Sequence, residues 1–246
     1  MHLEGERPRG FFLTLEGPEG SGKSTQARRL AARLEAAGRS CVVTREPGGT
    51  ALGEEVRRIL LHAAELEPVP AADALLFNAA RAQLVSQVIR PALERGDVVI
   101  CDRFADSTLA YQGFGAGRPL PALRDLARFA TGGLAPELTV LIDLPEEQGL
   151  GRKAAAERTR FEEREDVAFH RRVRQGFLEL AAQEPERFVV IDGRLSADAI
   201  EEAIAGALEA RLAPRVGLTA GNAEHSGTAA GPAKSEPPAG SLRMER

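Results

Sequence analysis

Nine consecutive residues, Gly17, Pro18, Glu19, Gly20, Ser21, Gly22, Lys23, Ser24 and Thr25, satisfy the spacing G-x-x-x-x-G-K-S. Glycines at these positions let successive backbone N–H groups point inward at phosphate oxygens, and a helix starting at the lysine adds the positive end of its dipole. Lys23 then reaches the β- and γ-phosphates of a nucleoside triphosphate, and the Ser24 hydroxyl helps to hold Mg²⁺. A glycine turn between strand and helix is the plainer reading, and two facts weigh against it. The chain has only three lysines, Lys23, Lys153 and Lys234, so a chance Gly-Lys-Ser is unexpected. The flanks are also right: the apolar run Phe11–Leu15 reads as a buried strand, and Ala27, Leu30, Ala31 and Leu34 follow at helical spacing.

Other charged residues stand where they complete such a site. Asp102 follows the apolar run Val98–Cys101 and is placed to meet Mg²⁺ directly or through water, with a helix cap as the alternative. Arg103 beside it, and Arg45 after the run Cys41–Thr44, offer guanidinium forks to a second phosphate; each alone is compatible with a surface ion pair. The stretch Gly151–Arg164 carries Arg152, Lys153, Arg158, Arg160 and Arg164 with almost no apolar residues. It suits a lid that closes over donor phosphates and excludes water, or otherwise a solvated helix.

Five short apolar runs are expected as strands: Phe11–Leu15, Cys41–Thr44, Val98–Cys101, Leu138–Ile142 and Phe188–Ile191. Helices are expected near Lys23–Ala37, Ala51–His62, Ala71–Glu94, Pro121–Ala130, Glu146–Arg152, Asp166–Gln183 and Ala197–Leu212. That alternation predicts an α/β fold built on a five-stranded parallel sheet with right-handed crossovers. Function should gather at the carboxyl ends of the strands, where Arg45, Asp102 and Asp143 fall beside the glycine loop.

A length of 246 residues allows one large domain or two small ones, and the apolar share of 43% is ample for a core. A net charge of −4 argues against a nucleic-acid binder that relies on a basic field. Arginine outnumbers lysine almost tenfold, which reads as composition bias. No apolar run approaches the ~20 residues of a membrane span, and the opening MHLEGERPRG lacks a signal-peptide core, so a cytoplasmic location is expected. Cys41 and Cys101 lie in strand-like runs without metal-ligand spacing and are read as buried thiols. Residues 1–10 are expected as a flexible extension, 11–213 as the folded domain, and 214–246, rich in Ala, Gly, Ser and Pro, as a disordered tail.

The segments GPEGSGKST, TREPGGT, LLFNAAR and DRFADSTLAYQG occur in this order and together resemble the bacterial thymidylate kinases. The resemblance covers Phe11 to Leu212, and TREPGGT and DR-x-x-x-S-x-x-A-Y-Q-G are its most discriminating parts. It implies a P-loop nucleoside monophosphate kinase fold with a small lid, transfer of phosphate from ATP to dTMP with Mg²⁺, and a homodimer. By the same resemblance Phe77 stacks on thymine, Arg81 bonds a base carbonyl, and Ser107 and Gln112 read the base edge. Tyr111 packs on the sugar and disfavours a 2′-hydroxyl, Arg45 and Arg103 hold the acceptor phosphate, and Glu19 sits near the 3′-hydroxyl. Positions 18 to 21 contain no arginine, so the transition-state charge is expected from the lid, as in the lid-arginine type. Arg152, Arg158 and Arg160 are the candidates there. Thr159 stands where an aspartate is usual, which leaves Arg158 and Arg160 equally placed.

Two other readings compete on the residues. A nucleotide switch needs no acceptor pocket, and the guanine-reading N-K-x-D is absent from the chain. A kinase for another nucleotide or a small alcohol fits TREPGGT and the AYQG segment poorly. No general base stands out, and an already ionised phosphate acceptor needs none.

Overall fold

The computed structural model describes residues 10–61, 63, 66, 68–152 and 166–220, the last seven of these by backbone alone. Residues 1–9, the expected lid from Lys153 onward with Arg158, Arg160 and Arg164, and most of the expected tail lie outside the described residues. Five parallel strands, β1 (Phe11–Glu16), β2 (Cys41–Arg45), β3 (Val98–Asp102), β4 (Leu138–Asp143) and β5 (Phe188–Asp192), form one sheet in the order β2-β3-β1-β4-β5. β1 is buried at every position, as a central strand covered on both faces must be.

Each strand runs one residue beyond its apolar segment. The added residues are Glu16, Arg45, Asp102, Asp143 and Asp192, so all five strands end on a charge. A ladder closes these positions through backbone groups, whatever the side chain; Leu15 pairs with Asp102, and Arg45 pairs with Asp102 from the other side. One rim of the sheet therefore carries charge over an apolar body. β1 and β4 also diverge in order at this rim, the crevice where open α/β sheets place ligands.

The helices are α1 (Lys23–Ala36), α2 (Ala51–Leu61), α3 (Pro70–Leu84), α4 (Arg90–Glu94), α5 (Ala105–Thr108), α6 (Leu120–Thr131), α7 (Glu146–Arg152), α8 (Val167–Gln183) and α9 (Ala197–Ala220). α1 packs on β1, β2 and β3, and α8 packs on β4 and β5. Asp166 caps α8 by accepting from the Phe169 N–H at 2.7 Å. The helix expected over Ala71–Glu94 is interrupted by a π turn at Val85–Ile89. Pro91 has no N–H to offer the turn before it, so the ladder widens there. α9 continues in backbone past the expected end at Leu212 to Ala220.

The segment Ala105–Gly115, which falls between the expected strands and helices, is helical: α5 passes into a π turn at Leu109–Gly115. Gly113 and Gly115 conceal it in the sequence, because glycine is a poor helix former. Tertiary packing overrides that propensity. A Cβ on Gly115 would stand 2.7 Å from the Phe169 ring, so the bare backbone lets α8 close on this turn. Tyr111, Phe169 and Phe177 meet edge to face there, at ring separations of 6.2 and 6.3 Å, and anchor one buried cluster. Phe12 and Phe104 meet at 5.0 Å in another. Cys101 is buried with its thiol donating to the Arg103 carbonyl at 3.0 Å, while Cys41 on the edge strand is only half-buried.

Candidate functional site

The loop between β1 and α1 needs its glycines for two different reasons. Gly17, Gly20 and Gly22 have φ of 139°, 67° and 94°, a region unfavourable to side chains. Gly20 also meets backbone: a Cβ there would lie 2.1 Å from the Gly149 carbonyl oxygen of α7, and a Cβ on Gly149 would lie 2.2 Å from the Glu19 carbonyl oxygen. Loop and helix thus touch main chain to main chain. Lys23, buried at the first turn of α1, donates to the carbonyls of Gly17 (3.0 Å) and Pro18 (2.7 Å) and to Ser21 Oγ (3.1 Å). Burial, and then the Arg103 cation, lower its ammonium to about 7. Ser24 and Thr25 are exposed at the loop mouth, and the Ser24 hydroxyl donates to Asp102 Oδ2.

Arg103 follows β3 with φ 71°, an uncommon conformation for a residue with a side chain. The turn aims its guanidinium back across the glycine loop. Nη1 donates to the Gly17 carbonyl and to Ser107 Oγ, both at 3.1 Å; Nη2 reaches Glu19 Oε1 and Tyr111 OH, both at 3.2 Å. Tyr111 OH donates to the same Glu19 oxygen at 2.5 Å, and His170 Nδ1 stands 3.7 Å from the other. Burial alone would raise the Glu19 carboxyl, but Arg103, His170, Lys23 and Tyr111 outweigh it and hold it well below the usual range. Burial opposes the charge on Arg103 too, yet Tyr111 and Glu19 raise it further.

Two adjoining cavities open from this knot. The first is lined by Phe77, Arg81, Arg103, Ser107, Tyr111 and Gln112, all six of them expected from the sequence. The second, an open groove, holds Lys23, Ser24, Thr25, Arg45, Asp102 and Arg152. Glu19, Glu46, Arg57 and Arg103 line both. One compartment is apolar at one end and cationic at the other; the next presents the glycine loop.

Individual residues depart from expectation in instructive ways. Arg81 is 1% exposed, and its guanidinium is largely committed. Nε donates to Glu46 Oε2 at 2.9 Å, Nη1 to Asn78 at 2.9 Å, and Nη2 to the Phe104 carbonyl (3.1 Å) and Thr108 Oγ1 (2.9 Å). Asn78 takes one of the two Nη1 hydrogens, which leaves the other for the cavity. Arg45 is half exposed, bonds Glu54 at 3.2 Å, and lies in the groove rather than in the first cavity. Arg57 of α2 stands where both compartments meet, held by the Pro47 carbonyl at 2.9 Å. Burial, then the Arg45 charge, lowers its guanidinium. Sequence reasoning missed it, along with Glu46, Thr108 and His170. A row of charges in GEEVRRIL reads as a solvated helix face, and the local pattern does not mark Arg57 as turned inward. Arg152, at the end of α7, reaches the Gly20 carbonyl at 3.3 Å and the Gly193 carbonyl at 3.3 Å. Arg158 and Arg160 lie outside the described residues.

Oxygen ligands, one or two of them from protein, suit a Mg²⁺ that stays mostly on phosphate and water. The adjacent Ser24 hydroxyl and Asp102 carboxylate meet that requirement. Among the described residues no cluster of three or more His, Cys, Asp or Glu forms a self-sufficient metal site.

Comparison with known proteins agrees with this geometry. The sequence model of the family described as thymidylate kinase matches residues 15–204. The thymidylate kinase of Deinococcus radiodurans is 55% identical over 203 residues, covering 82% of this chain and 98% of its own. That of Roseiflexus castenholzii is 49% identical over 217 residues, covering 82% and 94%. A crystal structure of thymidylate kinase from Ehrlichia chaffeensis superposes with a TM-score of 0.67 at 33% identity, over 82% of this chain and 99% of that one. From the glycine loop to the first turns of α9, then, the chain belongs to the thymidylate kinase family.

Proposed function

We propose that this protein transfers the γ-phosphoryl group of ATP to dTMP, giving dTDP and ADP. The observation that carries the reading is the pair of adjoining cavities that share Arg103 and Glu19: a glycine-loop groove for the donor opens onto a pocket for an acceptor. Family membership supplies the substrates, and the pocket suits them. Phe77 and Arg81 give a flat apolar surface and a buried donor for a pyrimidine, and Gln112 lies beside them. Tyr111, locked by Glu19 and Arg103, stands against a 2′-hydroxyl.

In this reading the glycine loop, Lys23 and Thr25 hold the ATP phosphates, and Arg152 faces the donor nucleotide from α7. Arg103 and Arg57 hold the dTMP phosphate, with Arg45 as a more distant charge. Ser24 and Asp102 hold the Mg²⁺, which neutralises the donor phosphates when bound. Lid residues near 151–164, with Arg158 and Arg160, close the groove and bring charge to the transferred group, as in the lid-arginine type. Positioning and charge suffice for phosphoryl transfer, and a dianionic acceptor needs no base. A homodimer belongs to the same reading; the exposed Leu75 on α3 and Phe129 on α6, two helices that pack together, support it. A cytoplasmic location also belongs to it, and among the described residues no helix is long and apolar enough to cross a membrane.

The test is ADP release from ATP and Mg²⁺ with dTMP, dUMP, dCMP, UMP or no acceptor. Strong stimulation by dTMP, weak by dUMP and little by the rest is expected, with Lys23→Ala inactive. Hydrolysis that ignores the acceptor would point instead to a nucleotide switch.

A further inference from the structure

Glu16 ends β1 just before the glycine loop and is fully buried. Its oxygens face the segment after β3. Oε1 accepts from the Phe104 N–H at 2.7 Å, and Oε2 lies 2.6 Å from Ser107 Oγ. Ser107 Oγ also accepts from Arg103 Nη1 at 3.1 Å and lines the acceptor cavity. A hydroxyl has one hydrogen and two lone pairs, so the charge on Glu16 decides what Ser107 can offer. Opposite an ionised Glu16, Ser107 must give its hydrogen to Oε2. Opposite a neutral Glu16 with its proton on Oε2, both Ser107 lone pairs are filled, by Glu16 and by Arg103, and the hydrogen turns toward the cavity.

We propose that Glu16 is a positioning residue that works in its neutral form: it donates to Ser107 and so makes Ser107 a hydrogen-bond donor to an acceptor oxygen of the bound nucleotide. This rests on the reading of the first cavity as the dTMP pocket. The surroundings favour the neutral form. Burial, and next the Asp106 carboxylate, push the Glu16 carboxyl up to about 8, against smaller pulls from Ser107, Arg103 and the Phe104 N–H. Asp106 on α5 is itself held by Arg187 at 2.6 Å. Arg103 spends its hydrogens on Gly17, Ser107, Glu19 and Tyr111, not on Glu16. Among the described residues, Cys101 on β3 and Lys23 on α1 also feel the charge of Glu16.

Calorimetric titration of the full chain with dTMP, from pH 7 to 9 in two buffers of different ionisation enthalpy, tests this on wild type, Glu16→Gln and Ser107→Ala. The Gln amide accepts from Phe104 and donates to Ser107 at every pH. Wild-type affinity should fall about two- to tenfold across the range, the worth of one hydrogen bond, with proton uptake on binding near pH 8. Glu16→Gln should lose much less affinity than wild type across the range, keeping only the part that Lys23 contributes, and take up less proton. Ser107→Ala should bind about two- to tenfold more weakly at pH 7 and lose the same pH dependence. Wild-type pH dependence retained in either variant would overturn the proposal, because a purely structural Glu16 needs no Ser107 hydrogen. Should Glu16→Gln fail to fold, Ser107→Ala decides alone. No dTMP binding by wild type at any pH, with ATP still bound, would instead remove the functional reading and this proposal with it.

Discussion

Arg81 meets two demands, and they separate by experiment. It offers one hydrogen to the acceptor cavity, and it neutralises Glu46, which is 4% exposed and pairs with no other cation among the described residues. Burial raises the Glu46 carboxyl, with Arg81 pulling it back. Arg81→Ala should therefore weaken dTMP binding and also destabilise the fold by about 3–5 kcal/mol, since it strands a buried carboxylate. Pairing it with Glu46→Gln should return much of the unfolding free energy without restoring dTMP affinity, as urea titration and calorimetry would report. The arginines at the phosphate end divide in the opposite sense. Arg57→Ala should raise the KM for dTMP about ten- to a hundredfold, the worth of a charged hydrogen bond. Arg45→Ala should cost less than about threefold, because its exposed pair with Glu54 contributes little. Equal effects in steady-state kinetics would return Arg45 to the role that the sequence suggests for it.

Elements position these residues through backbone contact as much as through side chains. α7 meets the glycine loop where Gly149 and Gly20 face each other, and neither tolerates a Cβ. Gly149→Ala should push the Glu19 carbonyl and the loop out of register, lowering kcat more than tenfold and weakening a fluorescent ATP analogue in titration. Gly206→Ala on α9, with nothing within 4 Å of its Cβ, should leave activity alone and add about 0.5–1 kcal/mol to stability. Elements were the most legible part of the sequence. All five strands and the helices flanking them follow from apolar runs and spacing, because a parallel sheet buried on both faces has little freedom in composition. The helical turn at Ala105–Gly115 did not follow, since its glycines serve the approach of Phe169 and its order comes from α8. In the site, the glycine loop was readable from local spacing, and Phe77, Arg81 and Tyr111 only by resemblance. Arg57, Glu46 and His170 acquire their places from contacts distant in sequence, to which a periodic pattern is blind.

Over the whole molecule, the buried charges make stability depend on pH in two opposed ways. Glu19 titrates lower in the fold than in the unfolded chain, so its contribution is present above the ordinary glutamate range and is lost as pH falls. Glu16 titrates higher, near 8 against an ordinary 4.5. Below 4.5 both states of the chain hold that proton, and the fold carries no cost for it. Between 4.5 and about 8 the folded protein keeps a proton that the unfolded chain releases, so stability declines with rising pH and levels off beyond. The decline amounts to a few kcal/mol, on the order of 1.4 for each unit of displacement. Urea unfolding of wild type and Glu16→Gln at half-unit steps from pH 5 to 9 isolates the effect. Wild type should lose stability from pH 5 to about 7, above which Lys23, at about 7 in the fold against an ordinary 10.5, offsets part of the decline; the Gln variant, with nothing to titrate at position 16, should lose markedly less over the first part of the range. Parallel curves would mean that Glu16 is ionised in the fold at neutral pH, so that the carboxylate beneath Ser107 takes its hydrogen instead of turning it toward the nucleotide.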